Sequence, residues 1–347
     1  MRLRRSLLDG LASPRVTIEV MRTALQYAIE LEHSTIPLYL YALYSLVPDE
    51  NPEVAAVLRS VVMEEMLHMV LAANVLNAIG GEPAISKPDF IPTYPGRLPG
   101  GVEGQVAVNL RPFSPEQLEA FIEIEELRDP LRYQGPAPSE PIETCTIGEF
   151  YLAIESAIAT LADGDFDGTG GRQIGPDLMF GSISVTDLAS ARRAIDTIIE
   201  QGEGTAASPE EIDGPGGVND FAHYYRFREI QMGRRLVRVG DGYGFAGATI
   251  GFRAEGVRPL PVDPKSRHFP RATPQRRLVD AFNATYTSLL AVLHSLLNGA
   301  NDAATFRSAL ELMSSLERQA ELMVAGSETG VCVGPTFEYR ARDASAG

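Results

Sequence analysis

Val61-Val62-Met63-Glu64-Glu65-Met66-Leu67-His68 lies in a segment, from about Pro52 to Gly80, whose apolar residues recur every three or four positions. Val54, Leu58, Val61, Glu65, His68, Ala72, Val75 and Ile79 form one stripe of an α-helix. Two polar residues, Glu65 and His68, therefore stand where a core is expected. A buried carboxylate and imidazole need a compensating partner. Glu-x-x-His facing inward is how four-helix bundles build carboxylate-bridged di-iron or di-manganese sites. The question for the rest of the chain is whether it supplies the other ligands.

A second stripe precedes this one. Thr17 to about Leu46 reads as a long helix whose inner row is Leu25, Ile29, Glu32, Ile36, Leu40 and Leu43, again interrupted by an acid, Glu32. Glu30 lies about 200° around the helix and faces elsewhere. Glu30-x-x-His33 has the motif spacing but reads as a flank pair near the surface. Pro37 is expected to free the carbonyl of His33 and kink the helix. Val47 to Pro52 forms the turn, and the second helix stops at Gly80-Gly81 with Pro83 beyond.

Residues from about Glu82 to Pro112 are rich in Pro and Gly and read as a long crossover, with Val106–Leu110 as a candidate strand. Ser114 to Leu127 reads as a short acidic amphipathic helix. Thr146-Ile-Gly-Glu149 opens the next helix, to about Ala162, with the spacing of a capping box. Glu149 can thus be a cap or a ligand, with Glu155 as the fallback. Thr186 to Glu203 is a further helix, and Glu203 closes the stripe begun by Ile195 and Ile199. His223, Phe227 and Ile230 are in register on another, where Asp220 could cap or form an Asp-x-x-His pair. Two more amphipathic helices fill Pro274 to about Ala325, and the tail to Tyr339 is expected to pack back on the body. The simplest account is one all-α bundle with elaborations: a metal-binding bundle over residues 1–235, then a loop-rich segment and C-terminal helices over 236–347.

Composition narrows the function. The 347-residue chain is 44% hydrophobic, enough for a sizeable core. A net charge of −16 disfavours nucleic acid and anionic membranes, which need a basic face. Cys145 and Cys332 fit neither a zinc spacing nor a disulfide framework, which suggests a reducing cytoplasm. No stretch approaches the roughly 18 apolar residues of a membrane span. No phosphate loop or nucleophile elbow is present in the sequence.

The inward acids and imidazoles are Glu32, Glu65, His68, one of Glu149 or Glu155, Glu203 and His223. In an up-down arrangement Glu149, at the start of its helix, Glu203, at the end of the next, and His223, at the start of the one after, share one level. Hard oxygen ligands with a few imidazoles suit two iron or manganese ions better than zinc or copper(I). Noncovalent haem is also compatible with the sequence.

Leu31-Glu-His-Ser-Thr-Ile-Pro-Leu-Tyr39, Glu64-Glu-Met-Leu-His68 with Asn74-Val-Leu-Asn-Ala-Ile-Gly-Gly81, Thr146-Ile-Gly-Glu-Phe-Tyr151, Glu200-Gln-Gly-Glu-Gly-Thr205 and His223-Tyr-Tyr-Arg-Phe227 occur in this order. Over residues 17 to 235 the chain resembles the ferritin-like domain of the iminophenyl-pyruvate dimer synthase family, which includes imine-coupling enzymes of violacein and rebeccamycin biosynthesis. The tail Gly334-Pro-Thr-Phe-Glu-Tyr339 is similar as well. The resemblance implies a ferritin-like four-helix bundle with a long crossover, a redox role and secondary metabolism. The chain is much shorter than the large dimer synthases, and apart from the flank pair Glu30-x-x-His33 it has no second Glu-x-x-His; Asp220-x-x-His223 is the nearest.

The leading expectation is thus an iron-dependent oxidase or oxygenase, with Glu65 and His68 at its catalytic centre. It would use dioxygen or peroxide on a small amino-acid-derived substrate. Tyr27, Tyr39, Tyr224 and Arg226 are guesses for pocket lining. The alternatives are a metal-handling protein, ferroxidase or manganese-catalase-like, and a metal-free scaffold. A homo-oligomer is compatible with each.

Overall fold

The two periodic segments become the two longest helices of the computed structural model, which describes residues 3–4, 6–99, 107–126, 144–166, 171–204, 209–210, 221–326 and 332–340. A short helix, α1 (Ser6–Leu11), precedes them. α2 (Ile18–Ser45) and α3 (Pro52–Ala78) lie side by side along their length. Asn51 and Pro52 start α3, and the Asn51 amide also bonds the backbone of Arg253 and Gly256, which closes the α2–α3 turn from outside. Most of the circumference of α3 is buried, as its nearly all-round apolar sequence requires. Leu58, Val61, Leu71 and Val75 are wholly buried, each contributing about 1.5–3 kcal/mol. α2 continues as one helix through Pro37, where the Tyr94 hydroxyl donates to the Ser34 carbonyl.

The rest of the bundle is assembled from shorter pieces. α4 (Pro115–Ile124) starts on a Ser114 cap, and α5 (Ile147–Ile158) on the capping box of Thr146 and Glu149. α6 (Leu188–Glu203) starts on a second box, Asp187 with Ser190, and ends at Gly204. α7 (His223–Met232) ends at Gly233, whose φ of 65° suits glycine. α5 and α6 pair with each other at one end of the long helices, with Phe150 edge-on to Tyr27. α4 and α7 pair at the other end, with Phe121 and Phe227 against Tyr39. The α5–α6 connection is tied to α3 by two buried amides. Asn74 bonds the backbone of Ile174 and Ile183, and Asn77 that of Arg172 and Leu297.

α8 (Pro274–Leu297) and α9 (Ala303–Ala325) form a hairpin that touches α3 and α2. The tail does pack back, since Asn283 of α8 bonds Thr336 and the backbone of Glu338. Two small antiparallel pairs complete the described structure: β1 (Leu3–Arg4) with β2 (Thr144–Cys145), and β3 (Val237–Val239) with β4 (Gly242–Gly244). The strand expected near Val106–Leu110 is, within 107–110, only a bridge from Val108 to Gly96. Among the described residues no helix is long and apolar enough to cross a membrane.

His33 departs from its expected place near the surface. It is buried, its ring 4.4 Å from that of Phe90, and it shares a 2.8 Å hydrogen bond with the Tyr286 hydroxyl. Glu30 stays half-buried near Lys87, so the two do not pair. The covering rings come from distant segments, which local periodicity does not register. Burial pushes the His33 imidazole down to about 3. The folded chain then refuses a proton that the unfolded chain accepts below about pH 6.5, so stability present above that pH is lost as pH falls, about 2 kcal/mol by pH 5. Chemical denaturation at pH 7 and pH 5 checks this. His33→Gln, with no ionisable group, loses about 2 kcal/mol less than the native chain, and equal losses contradict it.

Candidate metal centre

Glu32 from α2, Glu65 and His68 from α3, Glu125 from the end of α4 and His223 from the start of α7 meet in the bundle interior, all buried. Donor atoms of Glu32, Glu65 and His68 lie within 4.8 Å of one another, and so do those of Glu65, Glu125 and His223. Glu65 belongs to both groups. His68 Nδ1 is 3.4 Å from Glu32, and His223 Nδ1 is 3.0 Å from Glu65 and 3.7 Å from Glu125. The two imidazole rings stack with centroids 5.3 Å apart.

Each side chain is held from behind. The Tyr151 hydroxyl donates to Glu32 at 2.5 Å, Tyr39 to Glu125 at 2.5 Å, and Thr35 to Glu65 at 3.0 Å. His68 Nε2–H donates to Gln201 Oε1 at 3.0 Å, and His223 Nε2–H to Glu64 Oε2 at 2.9 Å. These bonds orient both rings and turn both Nδ1 atoms toward the carboxylates. His223 Nδ1 has no aligned hydrogen-bond partner despite its burial. Arg226 lies just outside and is bound to Glu64 and Ser60.

Such a convergence of negative charge and lone pairs requires cations between the groups. Without a metal these are protons. Burial and the Glu125 charge push Glu65 up to about 8. Burial works against charging His68 and His223, yet Glu32 beside the first and Glu125 with Glu64 beside the second raise both. Burial raises Glu125 too, but the His223 imidazole beside it and the Tyr39 hydroxyl outweigh burial and leave Glu125 low. Burial holds the Tyr39 and Tyr151 phenols well above their usual range, so they act as hydrogen-bond donors. The donor set, mostly carboxylate oxygen with two imidazoles, fits iron or manganese.

Glu32, Glu65, His68 and His223 are brought together, and Glu203 lines the same cavity. The Glu203 carboxylate accepts the Gly148 N–H at 2.8 Å, and a Cβ on Gly148 would lie 2.4 Å from Glu203 Oε2 and displace that carboxylate. Glu149 is not in the cavity lining. Its carboxylate turns back to the Thr146 N–H at 3.0 Å, so the cap takes it out of the expected set. Glu155, the fallback, is half-buried beside Arg192. Asp220 lies outside the described residues. Glu125 converges on Glu65 and His223 instead. It follows Leu118 and Phe121 on one face of α4, the same signal, an acid closing an apolar stripe, that marks Glu203.

The level shared by helix ends does appear: Ile147 and Gly148 of α5, Glu203 of α6 and His223 of α7 all line the cavity, joined by Glu125. Its free space of about 30 Å³ suits about two water-sized species. Tyr27, Tyr39, Tyr224 and Arg226, guessed as lining, are not among the cavity residues. Tyr39 instead supports a carboxylate, and Arg226 is buried against Glu64 rather than offered to a substrate.

A family model described as Ferritin-like matches residues 25–232, more than half of this chain. Dichlorochromopyrrolate synthase of Lentzea aerocolonigenes is 25% identical over an alignment that covers 91% of this chain and 35% of that protein. The chain therefore spans about a third of the length of that relative. A ferritin-like protein from Caulobacter vibrioides has a solved structure with a TM-score of 0.63, at 22% identity, covering 94% of this chain and 100% of the other. That likeness shows a shared fold.

The proton inventory gives a pH test on chelator-treated protein. Glu65, His68 and His223 all have raised values, so the stability they contribute while protonated is lost as pH rises through those values. The metal-free chain is expected to melt lower at pH 9 than at pH 7, and Glu65→Gln to shrink that drop. A drop unchanged in the variant contradicts the assignment.

Proposed function

This chain belongs to the ferritin-like family, and we propose that it is an oxidoreductase with a dinuclear iron centre that oxidises a small amino-acid-derived substrate. The observation that carries this reading is the sharing of Glu65 between two buried donor groups, one completed by Glu32 and His68, the other by Glu125 and His223. Such a set would hold two iron ions, with manganese as the alternative. When bound, an iron pair supplies electrons to dioxygen or peroxide.

The side chains have separable tasks. Glu65 would serve both ions, because it alone belongs to both groups. Thr35, Tyr39 and Tyr151 orient the three carboxylates by donating hydrogen bonds to them. Gln201 and Glu64 accept from the Nε2 side of His68 and His223 and direct their Nδ1 atoms inward. The apolar wall of Leu31, Ile124, Ile147, Ile198 and Ile199 limits access of water. Glu203 holds the α5 backbone from Gly148 at the edge of the centre and is the sixth candidate ligand.

The substrate class is drawn from the similarity to dichlorochromopyrrolate synthase. The cavity favours a second reading as well. About 30 Å³ holds ions and a diatomic gas but no amino acid, which suits a ferroxidase whose substrate is ferrous iron. In the first reading the organic molecule would approach at the cavity edge beside Gly202, where there is open space.

Metal analysis of purified protein tests the centre. About two iron or manganese ions per chain are expected, and Glu65→Ala or His68→Ala is expected to lose most of them. Full metal content in either variant contradicts the proposal. Oxygen uptake by the iron-loaded chain then separates the readings. Dependence on an added amino acid or imine favours the first, and uptake driven by ferrous iron alone favours the second.

A further inference from the structure

The two donor groups match in almost every respect. Each has the shared Glu65, one further glutamate, one histidine presenting Nδ1, and one tyrosine hydroxyl on the unshared carboxylate. They differ behind the histidines. His68 Nε2–H meets the neutral amide oxygen of Gln201 at 3.0 Å. His223 Nε2–H meets the carboxylate of Glu64 at 2.9 Å.

Glu64 precedes Glu65 on α3, so their side chains leave the helix about 100° apart. One faces the centre and the other passes behind His223. Both oxygens of Glu64 are engaged: Arg226 bonds Oε1 at 3.1 Å, and Arg226 and His223 share Oε2. Arg226 also donates to Ser60 at 3.0 Å. Glu64, Arg226 and His223 are all buried. The guanidinium keeps the Glu64 carboxylate away from the centre, and that carboxylate stands in direct contact with the imidazole. A carboxylate accepting Nε2–H raises electron density on the ring and makes Nδ1 a stronger donor than an amide acceptor does.

Building on the dinuclear reading above, we propose that the two metal positions are unequal: the position at His223, backed by the Glu64–Arg226 pair, fills first and holds its ion more tightly than the position at His68, backed by Gln201. Glu64 and Arg226 are positioning residues, acting through His223.

The test is titration of cobalt(II) chloride into the metal-stripped full chain, followed by visible absorption and calorimetry. Two resolved binding steps are expected. His223→Ala removes the tight step and His68→Ala the loose one. Glu64→Gln keeps an acceptor but removes the charge, and weakens the tight step about 10- to 100-fold while the loose step stays in place. Because Glu64→Gln leaves Arg226 buried beside a neutral group and can fail to fold, Gln201→Glu provides the reciprocal arm. It places a carboxylate behind His68 and is expected to tighten the loose step toward the other. Two equal steps in the native chain, a Glu64→Gln effect shared equally by both steps, or a Gln201→Glu variant that tightens nothing overturns the proposal. Each of these leaves the dinuclear reading standing. A native chain that binds no cobalt overturns the dinuclear reading itself.

Discussion

Three buried carboxylates directed at one another are the constraint on which the rest of this structure depends. Glu32, Glu65 and Glu125 converge with two imidazoles in a space that admits little water. Like charges at such range cannot all persist in an apolar interior without cations among them. The surrounding residues do not relieve this tension: the nearby guanidinium, Arg226, is committed to Glu64 and Ser60. Protons satisfy the metal-free centre, and under the proposed function metal ions would take their place. The hydroxyls of Thr35, Tyr39 and Tyr151 add orientation without adding charge.

The fold serves this constraint through a division of labour. α2 and α3 are continuous rods that fix Glu32, Glu65 and His68 at mid-length, where all three are buried. The opposite wall is built from helix ends. α4 stops at Glu125, α5 starts at Ile147, α6 stops at Glu203 and α7 starts at His223. Helix ends carry unpaired backbone donors, and Glu203 on the Gly148 N–H satisfies one of them. Capping therefore decides which acids face inward, as Glu149 illustrates by turning to Thr146.

The sequence made the all-α bundle and every converging residue but Glu125 legible, because a single acid or histidine interrupting an apolar stripe is a strong signal. Glu32, Glu65 and His68 carry it in their helices, as does Glu203 at the end of α6. Glu125 carries it too, but its helix is short and also holds Glu116, Glu119 and Glu123, so the informative acid is masked by solvated ones. Glu149 was ambiguous because one spacing serves both a cap and a ligand. Nothing local marks Gln201, Glu64 or Arg226, since their roles exist only once α6 and α7 dock against α3. His33 is buried by Phe90 and Tyr286 for the same kind of reason. The ferritin-like resemblance is borne out by the family match over residues 25–232.

The central claim is that Glu65 joins two metal positions in one buried centre. Anomalous diffraction from crystals of the iron-loaded chain, collected on both sides of the iron edge, tests this most directly. The account predicts two anomalous peaks, one beside His68 and Glu32, the other beside His223 and Glu125, with the Glu65 carboxylate between them. A single peak, no peak, or iron located away from Glu65 would contradict it.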